Sequence, residues 1–96
     1  MSTHVMKSYS RAFIYIDVKP GKEKQLLENI LQFDEVLEAH LISGQYDVFA
    51  IIEVKRGLFD SPRETITNFV IEKIRKLRDV QDTNTLIPTY SVTKRE

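Results

Sequence analysis

The sequence predicts an α+β sandwich in which two helices cover one face of a four-stranded antiparallel sheet. Three observations predict it. The chain has 96 residues, enough for one domain with a single core. It carries an internal echo: Phe13-Ile14-Tyr15-Ile16-Asp17-Val18-Lys19-Pro20-Gly21 is answered by Phe49-Ala50-Ile51-Ile52-Glu53-Val54-Lys55-Arg56-Gly57, each reading as a strand that ends at a glycine. Each half then continues with a helical stripe and a second β-like run, so β-α-β occurs twice. Two such units, with right-handed crossovers between their parallel strands, build the split βαβ or ferredoxin-like sandwich.

The first strand is followed by Leu26, Leu27, Ile30 and Leu31, an apolar stripe at helical spacing that predicts a helix over about Lys22 to Gln32. The first half closes with Asp34-Glu35-Val36-Leu37-Glu38-Ala39-His40-Leu41 as a strand. In the second half, Ser61-Pro62-Arg63-Glu64 combines a capping box with proline at the first helical position, so the second helix starts after Ser61. Its stripe of Ile66, Phe69, Val70, Ile74 and Leu77 docks on the core, and it ends near Lys76. Arg78-Asp79-Val80-Gln81-Asp82-Thr83-Asn84-Thr85 supplies the last strand. The expected organisation is a flexible N-terminal arm over 1–11, one folded domain over 12–93 and a tail over 94–96.

Strand residues alternate between faces. Ile14, Ile16 and Val18, with Ala50, Ile52 and Val54, form the apolar set that lies under the helices. Phe13, Tyr15, Phe49 and Ile51 then point outward, a patch on the two central strands that marks an interface. A homodimer that pairs these open sheet faces is expected, an assembly of the dimeric α/β barrel type. The alternative is that the N-terminal arm covers part of the patch.

Bulk properties exclude several function classes. Fourteen basic and 14 acidic residues leave no excess positive charge for a phosphate backbone or an anionic membrane. No cysteine is present, which removes disulfides, thiolate catalysis and soft metal ligands and fits the cytoplasm. The longest aliphatic and aromatic run, Val48 to Ile52, is far too short to span a bilayer. Aromatics on central strands invite an RNA reading, but Ser43-Gly44-Gln45-Tyr46-Asp47-Val48-Phe49 holds an acid and lacks the lysine or arginine that base-stacking sheets carry there. The basic cluster Lys73, Arg75, Lys76 and Arg78 sits at a helix C-terminus, where the dipole favours cations, and reads as a solvated face.

No catalytic or metal constellation emerges, and no cofactor is implied. His40 and Ser43 point to opposite faces of a strand, so base and nucleophile cannot meet. Glu38 and His40 share a face, yet two ligands without a third make a weak metal site. His40 under the open sheet keeps a cofactor-independent enzyme as the alternative function, beside a ligand-free assembly module. The turn Gly44-Gln45-Tyr46-Asp47 has two readings. Glycine and aspartate dominate hairpins for local reasons. They can also form a small-molecule site, with turn amides holding an anion and Asp47 an ammonium group.

Lys19-Pro20-Gly21-Lys22, then Val36 through Asp47, then Thr83-Asn84-Thr85-Leu86-Ile87 resemble the regulation-of-amino-acid-metabolism (RAM) domain. This is the C-terminal effector domain of the leucine- and asparagine-responsive (Lrp/AsnC) transcription regulators, and the resemblance covers about Arg11 to Thr93. It implies dimers through the sheet, assembly into tetramers, octamers or decamers, and free amino acids as effectors in crevices between dimers. The implied effector-binding residues are Gly44, Gln45, Tyr46 and Asp47, joined by hydroxyls from Thr83 and Thr85. The full-length regulators carry a helix-turn-helix before this domain, whereas only Met1 to Arg11 precede the first strand here. The expectation is a non-enzymatic, stand-alone effector domain that acts through partners such as a full-length relative and does not bind nucleic acid directly.

Overall fold

The computed structural model describes residues 9–44, 47–92 and 94. Its elements run β1 (Tyr9–Val18), α1 (Glu23–Ile30), β2 (Val36–Leu41), β3 (Val48–Lys55), α2 (Pro62–Phe69) continued by a π-helical turn (Val70–Ile74), and β4 (Val80–Leu86). The strands pair in the order β2-β3-β1-β4 with antiparallel neighbours, and the two helical segments pack on one face. This is the ferredoxin-like α+β sandwich that the duplicated pattern predicts.

The alternation in the central strands sets the core. Ile14 pairs with Ala50 and Ala12 with Ile52, and all four are fully buried beneath the helices. Leu26 and Ile30 from α1, and Ile66, Phe69, Val70 and Ile74 from the second helical segment, close the core from above. Val54 is only partly buried against it, because it lies at the end of β3 opposite Ser10. β1 begins at Tyr9, not at Phe13, and Ser10 is 5% exposed. The last residues of the expected arm therefore belong to the sheet; residues 1–8 lie outside the described residues.

Two irregularities shape the elements. Val36 pairs with Ile52 but Glu38 pairs with Ile51, so Leu37 is the extra residue of a β-bulge. The second lies in the helical segment after α2: Arg75 donates its N–H to the Val70 carbonyl at 2.8 Å, five residues back. This wide turn keeps both Val70 and Ile74 inside the core while Ile71 faces solvent.

The start of α2 carries the capping box legible in its sequence. The Ser61 hydroxyl accepts from the Glu64 N–H at 3.1 Å, and Glu64 Oε1 accepts from the Ser61 N–H at 3.0 Å. Pro62 follows at the first helical position. Ser61→Ala leaves two donors of the first turn without partners and is expected to lower stability by about 1 kcal/mol. Urea denaturation with an unchanged m-value would check this.

Candidate functional site

The connection from β2 to β3 is built by backbone geometry and one carboxylate. Gly44 has φ +125°, a conformation that strains any residue with a Cβ. Past the turn, Asp47 is fixed by three hydrogen bonds. Its N–H donates to the Ile16 carbonyl at 3.1 Å, its carbonyl accepts from the Ile42 N–H at 2.9 Å, and Oδ2 accepts from the Val18 N–H at 3.1 Å. Val18 lies one residue past the last β1–β3 pair on that strand, Ile16 with Val48 being the nearest ladder partners. The Asp47 side chain thus extends the ladder by one bond, so the residue has a structural role in addition to any binding role. Its second oxygen, Oδ1, takes no part in that bond.

Asp47 also borders a cleft of about 460 Å³ walled by Gly21, Glu23 and Lys24 at the start of α1 and by Leu41 and Ile42. Glu23 Oε2 accepts from the Gly21 N–H at 3.3 Å, which folds the carboxylate over the strand-to-helix turn. The cleft joins an apolar floor to charges of both signs. None of its walls except Asp47 was singled out from the sequence as a site residue. Their only signal there was proximity to the Lys-Pro-Gly-Lys turn.

The structure does not bring the remaining expected effector residues to Asp47 within one chain. Gln45 and Tyr46 lie outside the described residues. Thr83 and Thr85 pair with Ile16 and Ile14 on the far side of β1, on the helix-bearing face. Two ladder spacings, roughly 10 Å, separate β4 from β3. The Thr83 hydroxyl is engaged by Arg75 Nη1 at 3.2 Å, a partner the sequence did not single out.

On the uncovered sheet face, Phe13, Tyr15, Phe49 and Ile51 lie together and half-buried. The Tyr15 and Phe49 rings are 5.0 Å apart and Phe13 and Phe49 6.0 Å apart. Leu86, opposite Phe13 on β4 and 46% exposed, enlarges the patch. The bulge at Leu37 turns Glu38 and His40 to this same face, where they bond at 3.1 Å and the His40 ring lies 6.2 Å from Phe49. At the other margin Arg11 and Glu53 form an ion pair at 2.9 Å. An apolar centre with paired charges at its rim is the anatomy of a protein interface. Among the described residues no group of three or more His, Asp or Glu side chains could hold a metal ion. No helix is long and apolar enough to cross a membrane.

Comparisons with known proteins agree with this architecture. A family model described as the Lrp/AsnC ligand binding domain matches residues 11–96. The HTH-type transcriptional regulator PH0140 of Pyrococcus horikoshii is 32% identical over 78 residues, covering 81% of this chain and 46% of the relative. The chain thus spans about half the length of the curated relatives it matches. Among solved structures, FFRP-DM1 is 34% identical with a TM-score of 0.70, covering 82% of this chain and 97% of that one. E. coli AsnC is 23% identical with a TM-score of 0.81, covering 100% of this chain and 61% of that one, and shows the shared fold.

Proposed function

The chain belongs to the Lrp/AsnC ligand-binding domain family, and from that premise we propose that it binds a free amino acid and assembles through its sheet, without catalysing a reaction. The observation that carries the reading is the Asp47 carboxylate, pinned by the Val18 N–H through one oxygen and bordering a cleft with the other side of the turn. In this reading Asp47 holds the effector ammonium and the turn amides from Gly44 through Tyr46 hold its carboxylate. Leu41 and Ile42 line the space for an apolar side chain. Thr83 and Thr85 lie across β1 from the turn, so any part they take comes from a neighbouring chain. That makes binding depend on oligomerisation beyond the dimer formed by Phe13, Tyr15, Phe49 and Ile51. A full-length regulator of the same family is the partner through which such a domain would act on transcription.

The test must separate the two jobs of Asp47. Asp47→Ala removes the acceptor for the Val18 N–H along with the charge, so its effects are mixed. Asp47→Asn keeps a carbonyl oxygen for Val18 and removes only the charge. In a thermal-denaturation screen of the twenty amino acids at millimolar concentration, the parent is expected to gain melting temperature with its effector by linkage. Asp47→Asn is expected to fold with nearly the parent stability and to lose that gain. No stabilisation of the parent by any amino acid, or full stabilisation retained by Asp47→Asn, would overturn the reading.

A further inference from the structure

At the pole of the sheet opposite the Gly44 turn, β1 is left without a neighbour on one side. β1 pairs with β3 from Tyr9 onward, but its pairing with β4 begins only at Phe13, opposite Leu86. The cause lies in the next residues of the chain. The Ile16 carbonyl accepts from Asp47, so even-numbered β1 residues direct their backbone groups toward β3. Odd-numbered ones direct theirs toward β4, as the following Lys19 N–H does by donating to Asp79. Continuing the register from Phe13 and Leu86, Pro88 would fall opposite Arg11 at a hydrogen-bonded position. Proline has no N–H to give the Arg11 carbonyl. β4 ends at Leu86, and the N–H and C=O of Tyr9 and Arg11 face the side it has vacated.

The gap is a cleft of about 560 Å³ between Tyr9–Arg11 and the departing segment Ile87–Ser91, closed at one end by Pro62. Three features equip it for a ligand. Ser10 lines the cleft and is 5% exposed, and its hydroxyl has no hydrogen-bond partner among the described residues. Such a buried group is unfavourable until an incoming polar atom satisfies it. Arg11 and Arg56 stand on the walls with Glu53 as the one acid, so the lining carries a positive excess. The β3–α2 connection at the same pole presents Leu58 and Phe59, 89% and 92% exposed, and Tyr90 is 84% exposed.

We propose that this pole docks an acidic peptide segment of a partner protein in extended conformation, which adds as a strand along Tyr9–Arg11. A free strand edge offers N–H and C=O at the spacing of a peptide backbone, which one small zwitterion cannot match at two residues. The positive lining selects acidic side chains, and the exposed apolar residues beside it receive the alternate ones. The site lies at the far end of β1 from Asp47 and is independent of amino-acid binding there.

The probe is a fluorescein-labelled, end-blocked peptide of alternating valine and glutamate, added to the full chain and followed by anisotropy and by amide resonances. Saturable binding is expected, with shifts at Tyr9 and Arg11. Pro88→Val returns the missing N–H and lets β4 continue along β1, and is expected to protect the Arg11 region from hydrogen exchange and to weaken the peptide by at least about tenfold. Arg56→Glu is expected to weaken it comparably without changing that protection. No binding at about 1 mM peptide, or affinity unchanged in both variants, overturns the proposal. So does competition by free valine or glutamate, which would make the cleft a small-molecule site. Shifts at Tyr9 and Arg11 that follow protein concentration without peptide would assign the edge to a second copy and overturn it equally.

Discussion

Phe49→Glu is expected to reduce the mass of the particle in solution to that of a single chain. Phe49 is the centre of the uncovered sheet face, with the rings of Tyr15, Phe13 and His40 all within 6.2 Å. It is only half-buried in one chain, so a glutamate there stays solvated and the isolated fold is little disturbed. Across a twofold interface the same substitution appears twice, and each copy places a carboxylate against an apolar surface. A loss of about 2 kcal/mol per copy, the threshold for an interface hot spot, weakens dimerisation by roughly a thousandfold. Light scattering coupled to size exclusion reads the outcome. A variant that elutes at the parent mass with an intact circular dichroism spectrum would show that this face is not the interface.

The second large effect belongs to the core. Ile52 is fully buried and pairs with Ala12 on one side and Val36 on the other, at the middle of β3. Ile52→Ala leaves a cavity among side chains anchored in four strands and two helices, which have little freedom to collapse into it. The expected loss is about 2–5 kcal/mol, set against a typical domain stability of about 5–15 kcal/mol. Guanidinium denaturation measures it directly. Ile51→Ala is the matched control: its neighbour in sequence faces the uncovered side and is partly exposed, so in the monomeric background of Phe49→Glu it is expected to cost much less.

The central pair of strands and both helices were legible because each is written in one unbroken period. Ile14, Ile16 and Val18 alternate with residues of the opposite face, and Ser61-Pro62-Arg63-Glu64 names its own helix start. The bulge in β2 was not legible, because Val36, Leu37, Ala39 and Leu41 are apolar in both phases of the alternation. Nor was the π-helical turn, since Ile66, Phe69, Val70 and Ile74 satisfy an ordinary helix just as well. The candidate site divides in the same way. Asp47 stood out as a turn residue, but its partner Val18 lies 29 residues away and is reached only through the β1–β3 register. Thr83 and Thr85 share a strand with alternating polar residues, and which face they occupy depends on pairing with β1 that no local pattern encodes. The open edge at Arg11 follows from the same cause: Pro88 is visible in the sequence, but what it stands opposite is not.

The extra residue in β2 has a consequence for how chain length can vary. On either side of Leu37 the strand is in register with opposite faces of the sheet, and Leu37 itself is 46% exposed and lies outside the pairing. Removing it would join Val36 to Glu38 in ordinary alternation, with Glu38 and His40 still facing out and Ala39 still facing in. Removing Ala39 or His40 would instead invert everything beyond the gap. β2 can thus lose a residue at one position without losing its meaning, and relatives with a straight second strand and relatives with a bulged one can share the same two faces.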